Sequence, residues 1–323
     1  MFKNLIEKLK KNHTTLVFTE GSDPRILEAA SRLKQEGILQ PLLIGNEEEV
    51  RQAAREGDFD IEDIRIVDPL RYRRMEELVD KMVQLRKGKL SREECGQLLR
   101  KGNYFGTMLV KMGVADCLLG GATYSTADTV RPALQLVKTK PGHSIVGSCF
   151  ILTREGQQGT EMLAMGDCAI NIKPSEDELV EIAIEMAECA KIFGIDPQIA
   201  FLSYSTKGSG KGEDVDKMRN AAQKAKEARP DLPIEGELQF DAAVSPQVAQ
   251  TKCKGLPVAG RANTFVFPDI NAGNIGYKIA QRLGGFEAYG PILLGLNAPI
   301  NDLSRGCNAQ EVYYMAIITA ALR

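Results

Sequence analysis

Short apolar segments alternate with amphipathic segments along the first part of the chain. Residues 15–18, 41–44 and 116–119 are short and apolar, which is typical of buried strands. Segments with helical periodicity lie between and after them, at 24–35, 71–87, 92–100 and 103–112. This alternation predicts a parallel sheet that is covered by helices on both faces.

A second series of the same kind follows residue 145. A capping box of Ser175 and Glu178 opens an amphipathic segment and predicts a helix that ends near residue 193. Another helix is predicted at 272–283. The predicted strands of this series are 145–152, 162–170, 199–202, 233–234, 264–267 and an apolar run that stops at Gly295.

The chain length indicates two domains, because 323 residues exceed the size at which a single hydrophobic core usually stops growing. We place the boundary near residue 145. The final helix, predicted at 309–322, is expected to return to the first domain, since a site formed by both domains needs such a crossing. The predicted domains are therefore 1–145 plus 308–323, and 146–307.

The distribution of charged and apolar residues limits the kinds of partner that the protein is expected to bind. The 41 basic residues are spread among 43 acidic ones, with a net charge of -2, which argues against nucleic acid as the main partner. No run approaches the roughly 18 apolar residues of a membrane span, and the N-terminus does not read as a signal peptide. We expect a cytoplasmic protein with no membrane contact.

The number and spacing of the cysteines and histidines limit which metal sites and catalytic groups the chain can form. The 7 cysteines stand at wide spacings without a Cys-x-x-Cys pair, so the sequence indicates neither a disulfide framework nor a zinc site. The only histidines are His13 and His143, which leaves little room for a histidine-based triad or metal site. A general base is therefore expected to be a carboxylate, and no metal is expected.

The most informative stretch lies near the end of the chain. An apolar strand stops at Gly295, a polar turn follows, and Ser304 and Arg305 stand just before a helix that opens at Asn308. Free N–H groups and the positive end of the helix dipole favour an anion at such a place. A purely structural alternative remains open, in which Asn308 and Glu311 form a capping box and Arg305 pairs with Asp302 in its own turn.

Two further segments carry candidate anion ligands. Ser125, Thr126 and Thr129 stand with Arg131 just after the strand that ends at 120–121, where open α/β sheets bind ligands. The alternative is a capped helix with an exposed arginine. Arg86 lies in a basic helix end, which alone is weak support for a site.

Two other segments suggest sites but lack their usual spacing. Residues 207–212 are rich in glycine and lysine, yet they miss the spacing of a P-loop, so a surface loop is the favoured interpretation. Residues 235–241 bring three carboxylates together. These would suit a divalent metal, but no further Asp or His supports that interpretation.

These segments together resemble the phosphate acetyltransferase (phosphotransacetylase) family over essentially the whole chain. The motifs that carry the resemblance are residues 19–25, 125–132 with 138–142, 235–243, 267–278 and 301–307. The resemblance implies two doubly wound α/β domains that flank a cleft, as in the isocitrate and isopropylmalate dehydrogenases, and usually a homodimer. It also implies acetate metabolism and reversible transfer of an acetyl group from acetyl-CoA to phosphate, giving acetyl phosphate and CoA.

The same resemblance implies roles for individual residues. Arg305 would bind phosphate and polarise the carbonyl, Ser304 would hold the CoA sulfur, and Arg86, Arg131 and, less strongly, Arg25 would bind anionic groups of the substrates. No cofactor is implied, because coenzyme A is itself a substrate. The transfer is expected to be direct, without an acyl-enzyme.

The chain departs from the family at the presumed base, where Glu311 stands in place of an Asp. The extra methylene moves the carboxylate by up to ~1.5 Å, and a misplacement of about 1 Å can cost roughly 10²-fold in rate. Tyr124 stands where a His is common, and Leu294 where a Gln is common. These departures affect local polarity and leave the expected reaction unchanged.

Three other functions stay open from the residues alone. One is transfer of a longer acyl group such as butyryl, which depends on pocket volume. Another is a metal-dependent decarboxylating dehydrogenase on the same fold, although the chain lacks its metal carboxylates. The last is a catalytically silent acyl-CoA-binding or regulatory protein, which only Glu311 suggests.

Overall fold

The computed structural model describes residues 2–156 and 159–323, and the chain divides into two compact units. Unit 1 consists of Met1–Pro141 together with Leu296–Arg323, and unit 2 is Gly142–Gly295. The predicted assignment of residues 296–307 to the second domain needs correction. Residues Ile300–Asp302 form a strand that pairs with a strand of unit 1, so the chain returns to unit 1 before the final helix begins.

Unit 1 contains a parallel sheet of five strands. The strands are β1 (Thr15–Phe18), β2 (Gln40–Ile44), β3 (Arg65–Val67), β4 (Cys117–Gly120) and β11 (Ile300–Asp302). Their order across the sheet is β11-β4-β1-β2-β3, and every pairing is parallel. The middle strand, β1, is apolar and almost wholly buried, as expected for a strand that is covered on both faces.

The helices of unit 1 connect these strands. They are α1 (Phe2–Leu9), α2 (Pro24–Gln35), α3 (Glu47–Glu56), α4 (Met75–Arg86), α5 (Arg92–Leu98), α6 (Gly102–Lys111), α7 (Thr126–Pro132) and α13 (Ala309–Ala321), with a 3₁₀ turn at Pro69–Arg71 and a π-helical turn at Ala133–Val137. Local caps fix several starts. Asp23 accepts the N–H of Arg25 at the start of α2, and Ser91 forms a capping box with Glu94 at α5.

The core of unit 1 includes the last helix. Phe18, Ile26 and Phe105 are fully buried, and α13 has buried residues along most of its length, including Ile317. Within this core the side-chain amide of Asn301 on β11 donates to the hydroxyl of Thr319 on α13 at 2.9 Å. Burial of apolar side chains from α13 therefore stabilises the sheet edge that β11 forms.

Unit 2 contains a mixed sheet of six strands. The strands are β5 (Gly147–Gly156), β6 (Gly159–Gly166), β7 (Ile199–Leu202), β8 (Ile234–Leu238), β9 (Thr264–Val266) and β10 (Glu287–Leu294), in the order β10-β5-β6-β9-β7-β8. β6, β9, β7 and β8 are parallel, whereas β5 pairs antiparallel with both β6 and β10. The expectation of a parallel sheet thus fails at β5, which runs opposite to the other five strands.

The helices of unit 2 are α8 (Glu176–Ile192), α9 (Glu213–Ala228), α10 (Phe240–Val244), α11 (Pro246–Lys252) and α12 (Ile270–Arg282). The predicted strand 162–170 ends at Gly166, because the carboxylate of Asp167 accepts N–H bonds from Ala169, Ile170 and Asn171 and folds the chain into a turn. No helix among the described residues is long and apolar enough to cross a membrane.

Candidate active site

The carboxyl ends of β11, β4 and β1 lie side by side at one edge of the unit 1 sheet. This is the edge where open parallel sheets bind ligands. All of the predicted site residues belong to unit 1. The structure places them on α4, on the segments that follow these three strands and at the start of α13.

Ser304 and Arg305 lie on the loop between β11 and α13, and both are exposed. The backbone N–H of Gly306 donates to the Ser304 hydroxyl oxygen at 3.3 Å, which leaves the hydroxyl proton free. The Arg305 side chain makes no ion pair or hydrogen bond with the described residues. The alternative pairing of Arg305 with Asp302 is wrong, because Asp302 points into unit 1 and has other partners.

Asp302 is buried, with 2% of its surface exposed. Its carboxylate accepts hydrogen bonds from the hydroxyls of Thr126 and Thr129, each at 2.5 Å. Burial raises the pKa of Asp302, and the two threonine hydroxyls oppose that rise. The hydroxyl protons of Thr126 and Thr129 are thus used inside the protein and are not available to a substrate, contrary to the predicted role.

The hydroxyl proton of Ser125 is also used within the protein. Its hydroxyl donates to Asp128 at 2.7 Å, three residues along α7. The interpretation of this segment as a capped helix with an exposed arginine therefore describes its local structure better than a phosphate loop does. Arg131 is the exposed arginine, and its nearest carboxylate is Asp128 at 3.9 Å.

Arg25 lies at the start of α2 and uses all of its side-chain N–H groups within the protein. Nε and Nη2 donate to the two oxygens of Asp23 at 2.9 and 2.7 Å, and Nη2 also donates to the carbonyl of Ala122 at 2.9 Å. Nη1 donates to the carbonyls of Arg305 and Cys307 at 2.8 and 3.1 Å. A guanidinium has five N–H donors, so none remains for a substrate anion, and the predicted anion-binding role of Arg25 needs correction.

The charges of Arg86 and Arg131 both act on Tyr104. Burial raises the pKa of Tyr104, and the positive charges of Arg131 and Arg86 oppose that rise. The Arg86 Nε is buried and has no hydrogen-bond partner among the described residues. Since an unsatisfied buried donor is costly, this N–H is suited to an acceptor that the protein itself does not supply.

Glu20 is a half-buried carboxyl group of this edge that sequence reasoning did not single out. It accepts the N–H groups of Gly121 and Thr123 at 3.0 and 3.1 Å and the hydroxyl of Thr19 at 2.7 Å. The Thr19 hydroxyl also lies 2.7 Å from the hydroxyl of Tyr124. Burial raises the pKa of Glu20, and these hydrogen bonds oppose the rise. Its position directly after β1, within one of the quoted motifs, was the available signal.

Glu311 forms the capping box that the structural alternative predicted. The N–H of Asn308 donates to Glu311 Oε2, and the N–H of Glu311 donates to Asn308 Oδ1, both at 2.9 Å. The Oε1 oxygen of Glu311 has no partner among the described residues. Capping therefore fixes the position of this carboxylate and leaves one of its oxygens available.

The carboxylates of the 235–241 segment are bound by basic side chains. Glu237 is fully buried and accepts from Arg219 Nε at 2.9 Å, while Glu235 pairs with Lys207 and Lys226. The third, Asp241, pairs with Lys252 at 2.8 Å. No group of His, Cys, Asp and Glu among the described residues is arranged to hold a metal ion.

The loop at 207–212 is ordered by one of these carboxylates. The backbone N–H of Gly208 donates to Glu237 at 2.7 Å. A carboxylate of the protein thus takes the backbone donor that a P-loop would offer to phosphate.

Comparisons with known proteins agree with this arrangement. A family model described as phosphate acetyl/butaryl transferase matches residues 1–320. The chain belongs to this family. It is 52% identical over 321 residues to a phosphate acetyltransferase of Bacillus subtilis, covering 99% of this chain and 98% of that one. A phosphotransacetylase structure from Streptococcus pyogenes is 53% identical, with a TM-score of 0.97 and coverage of 99% and 97%.

A more distant solved structure shares the fold of the chain. A putative 4-hydroxythreonine-4-phosphate dehydrogenase from Salmonella typhimurium, only 11% identical, aligns over 96% of this chain and 99% of that one with a TM-score of 0.55, which shows a shared fold and nothing further. The predicted α/β fold of the dehydrogenase type is confirmed. So are the predicted family and the enzyme class, an acyltransferase.

The raised pKa of Glu20 predicts a pH dependence of stability. A carboxyl group whose folded-state pKa is raised contributes most to stability below its unfolded pKa, about 4.3, and that contribution is lost as pH rises through the folded pKa. Glu20→Gln removes this titration and retains an acceptor for Gly121 and Thr123. We expect the variant to gain stability relative to the parent as pH rises above about 4, as measured by urea unfolding at a series of pH values. Parallel profiles for the two proteins would contradict the assignment.

Proposed function

We propose that this chain is a phosphate acetyltransferase, which interconverts acetyl-CoA plus phosphate with acetyl phosphate plus CoA. The observation that carries the proposal is Arg305, a guanidinium without a hydrogen-bond or ion-pair partner among the described residues, which directly follows Ser304 and its free hydroxyl proton. Both stand at the ligand-binding edge of a parallel sheet. The names and high identity of the relatives support the acetyl group as the one transferred.

In the proposed reaction the sulfur of CoA attacks the carbonyl carbon of acetyl phosphate. The C–S bond forms, and the C–O bond to phosphate then breaks. Arg305 binds the phosphate oxygens and stabilises the negative charge that develops on the carbonyl oxygen. Such preorganised positive charge is usually the largest catalytic contribution. No acyl-enzyme and no cofactor are needed, because CoA and phosphate carry the group between them.

Ser304 is suited to hold the sulfur. Its oxygen accepts the N–H of Gly306, which orients the hydroxyl and leaves its single proton to donate to a thiolate. Arg86, with its unpartnered Nε, and Arg131, exposed on α7, would bind phosphate groups of CoA.

Glu311 is the proposed base that removes the thiol proton. A thiol of pKa about 8.5 is only a few per cent ionised at neutral pH, so a positioned carboxylate contributes roughly 10²–10⁴ in rate. Asp302 and Glu20 are nearby carboxyl groups, but their oxygens already accept hydrogen bonds from the protein. Glu311 Oε1 remains available.

Two alternative reactions have less support. Transfer of longer acyl groups is represented by a branched-chain phosphotransacylase from Enterococcus faecalis, which is only 21% identical. A decarboxylating dehydrogenase needs carboxylates free to bind a metal, whereas Glu235, Glu237 and Asp241 are all held in ion pairs.

The proposal extends to assembly, location and pathway. Ile275, Ile279 and Leu283 are 57%, 54% and 85% exposed, and their spacing of four residues places them on one face at α12. Such an apolar face suits an interface, and we assign it to a homodimer.

The cysteines are all buried free thiols. Reduced cysteines support a cytoplasmic enzyme, and we propose acetate metabolism as the pathway in which it acts.

Arg305→Ala should lower kcat by about 10²–10³-fold, the usual effect of removing one group that stabilises a developing oxyanion. CoA release from acetyl-CoA on addition of phosphate measures the rate, and circular dichroism checks the fold. Arg51→Ala, which removes a half-exposed arginine of α3 that pairs with Glu47, is the control and should keep the parent rate. An Arg305→Ala protein with most of the parent's activity would remove the assignment.

Glu311→Gln separates the base from the helix cap. Glutamine also serves in a capping box, so stability should change little while kcat falls about 10²-fold or more and loses its dependence on an ionising carboxylate. Thermal unfolding and the pH profile of kcat measure the two effects. Glu311→Asp keeps an ionising carboxylate but withdraws it by up to ~1.5 Å, so it should retain the pH dependence at a rate up to roughly 10²-fold lower. If Glu311→Gln turns over as fast as the parent, the side chain is only a cap.

The dimer is tested by Ile279→Glu. A charge in the centre of the apolar face should convert a particle of twice the chain mass of 35.4 kDa into one of a single chain mass, as measured by light scattering after size exclusion. Leu70→Glu, at an exposed leucine of unit 1, is the control and should leave the mass unchanged. A parent of single-chain mass would refute the homodimer.

A further inference from the structure

We propose that Arg25 is a positioning residue, which holds the Ser304–Arg305 loop in its active geometry and does not itself bind substrate. This inference deepens the proposed function and rests on it for its kinetic part. It assigns to the first quoted motif, residues 19–25, a task that differs from the anion binding expected from the sequence.

The donor count excludes a direct role for the Arg25 guanidinium in the structure as it stands. Its five N–H groups have five oxygen acceptors in the protein, all between 2.7 and 3.1 Å. Substrate phosphate would have to displace one of these bonds. Arg305 and Arg86, in contrast, retain donors that have no partner in the part of the chain that the structure describes.

The acceptors show what Arg25 holds together. Asp23 follows β1, Ala122 follows β4, and Arg305 and Cys307 follow β11. One side chain thus links the segments after three adjacent strands. The two bonds from Nη1 reach the carbonyls on either side of Gly306, so they fix the backbone that carries Arg305.

Asp23 keeps the guanidinium in place. Its Oδ1 accepts both the backbone N–H and the Nε of Arg25, and its Oδ2 accepts Nη2, so the carboxylate caps α2 and orients the guanidinium plane. This bidentate geometry requires a planar fork, which lysine lacks. A lysine at position 25 would keep the positive charge and lose the linkage.

The loop has little else to hold it. Leu303 N–H donates to the Gly120 carbonyl at 2.7 Å, and Cys307 N–H donates to the Ser304 carbonyl at 3.0 Å. No other backbone hydrogen bond involving residues 304–306 appears among the described residues apart from those of Arg25 and the Ser304 side chain. Loss of the Arg25 bonds should therefore displace Arg305, and a displacement of about 1 Å can cost roughly 10²-fold.

The first test is kinetic. Arg25→Lys should lower kcat about 10–100-fold, with a smaller change in the KM values for CoA and phosphate. In an Arg305→Ala background the same substitution should lower the rate less than about 3-fold, because the group that Arg25 positions is already absent. Asp23→Asn, which keeps a good helix cap, should change kcat in the same direction by a smaller factor.

Arg32→Lys is the matched control. Arg32 lies on the same helix α2, donates to Gln310 of α13 at 2.9 Å and stacks on the ring of Tyr313, but does not touch the 304–307 loop. This variant should keep the parent kcat. An Arg25→Lys protein with parental kcat and a raised KM, or with a full additional loss in the Arg305→Ala background, would overturn the proposal.

The second test does not depend on activity. Hydrogen exchange at the amides of residues 304–308 should be at least several-fold faster in Arg25→Lys than in the parent, and unchanged in Arg32→Lys. Unchanged exchange in Arg25→Lys would overturn the positioning role even if the enzyme is active. If the parent fails to release CoA from acetyl-CoA with phosphate, the proposed function fails, and the exchange measurement still decides the role of Arg25.

Discussion

The buried carboxylate of Asp302 is the constraint on which this edge of unit 1 depends. A carboxylate removed from water needs hydrogen-bond donors, and Thr126 and Thr129 supply them from the first two turns of α7. Their donation fixes α7 against the end of β11. Arg131 on α7 and the Ser304–Arg305 loop after β11 are thereby held on the same side of the sheet. The substrate-facing groups take their places because a buried charge behind them has to be satisfied.

Partnering of side chains separates the structural residues of this edge from the functional ones. Four side chains donate their hydrogen bonds to oxygen atoms of the protein, namely those of Arg25, Ser125, Thr126 and Thr129. The Arg305 guanidinium and the Nε of Arg86 have no such acceptor within residues 2–156 and 159–323. The buried Nε of Arg86 costs free energy while it has no acceptor, and a bound anion would recover that cost. The unpaired groups are the ones to which the proposed chemistry assigns contact with phosphate.

Local signals in the sequence were sufficient for much of the fold. The β1 strand and the capping boxes at Ser175 and Asn308 were predicted because each depends on neighbours within a few residues. The strands β3 and β11 have three residues each and show no periodicity to detect. The apolar pattern of β5 and β6 indicates two strands but does not distinguish their antiparallel pairing from a parallel one.

The sequence predicts which residues form the candidate site, but it does not predict which partner each side chain binds. Ser304 and Arg305 stand out because a helix begins just after them. The partners of Asp302 lie 176 and 173 residues away, and those of Arg25 include carbonyls 280 and 282 residues away. No spacing rule reaches over such separations. Only the fold shows that hydroxyls expected to face a substrate in fact face a carboxylate.

The division of unit 1 into two chain segments has a consequence for how the protein is made. The sheet edge at β11 and the covering helix α13 are synthesised only after the whole of unit 2. Unit 2 is one continuous segment and is able to fold during translation. Until β11 is made, β4 has no strand paired to the edge that β11 later covers. The edge of β4 that β11 covers thus stays exposed for as long as unit 2 takes to be made, and during that interval β4 is open to pairing with another chain.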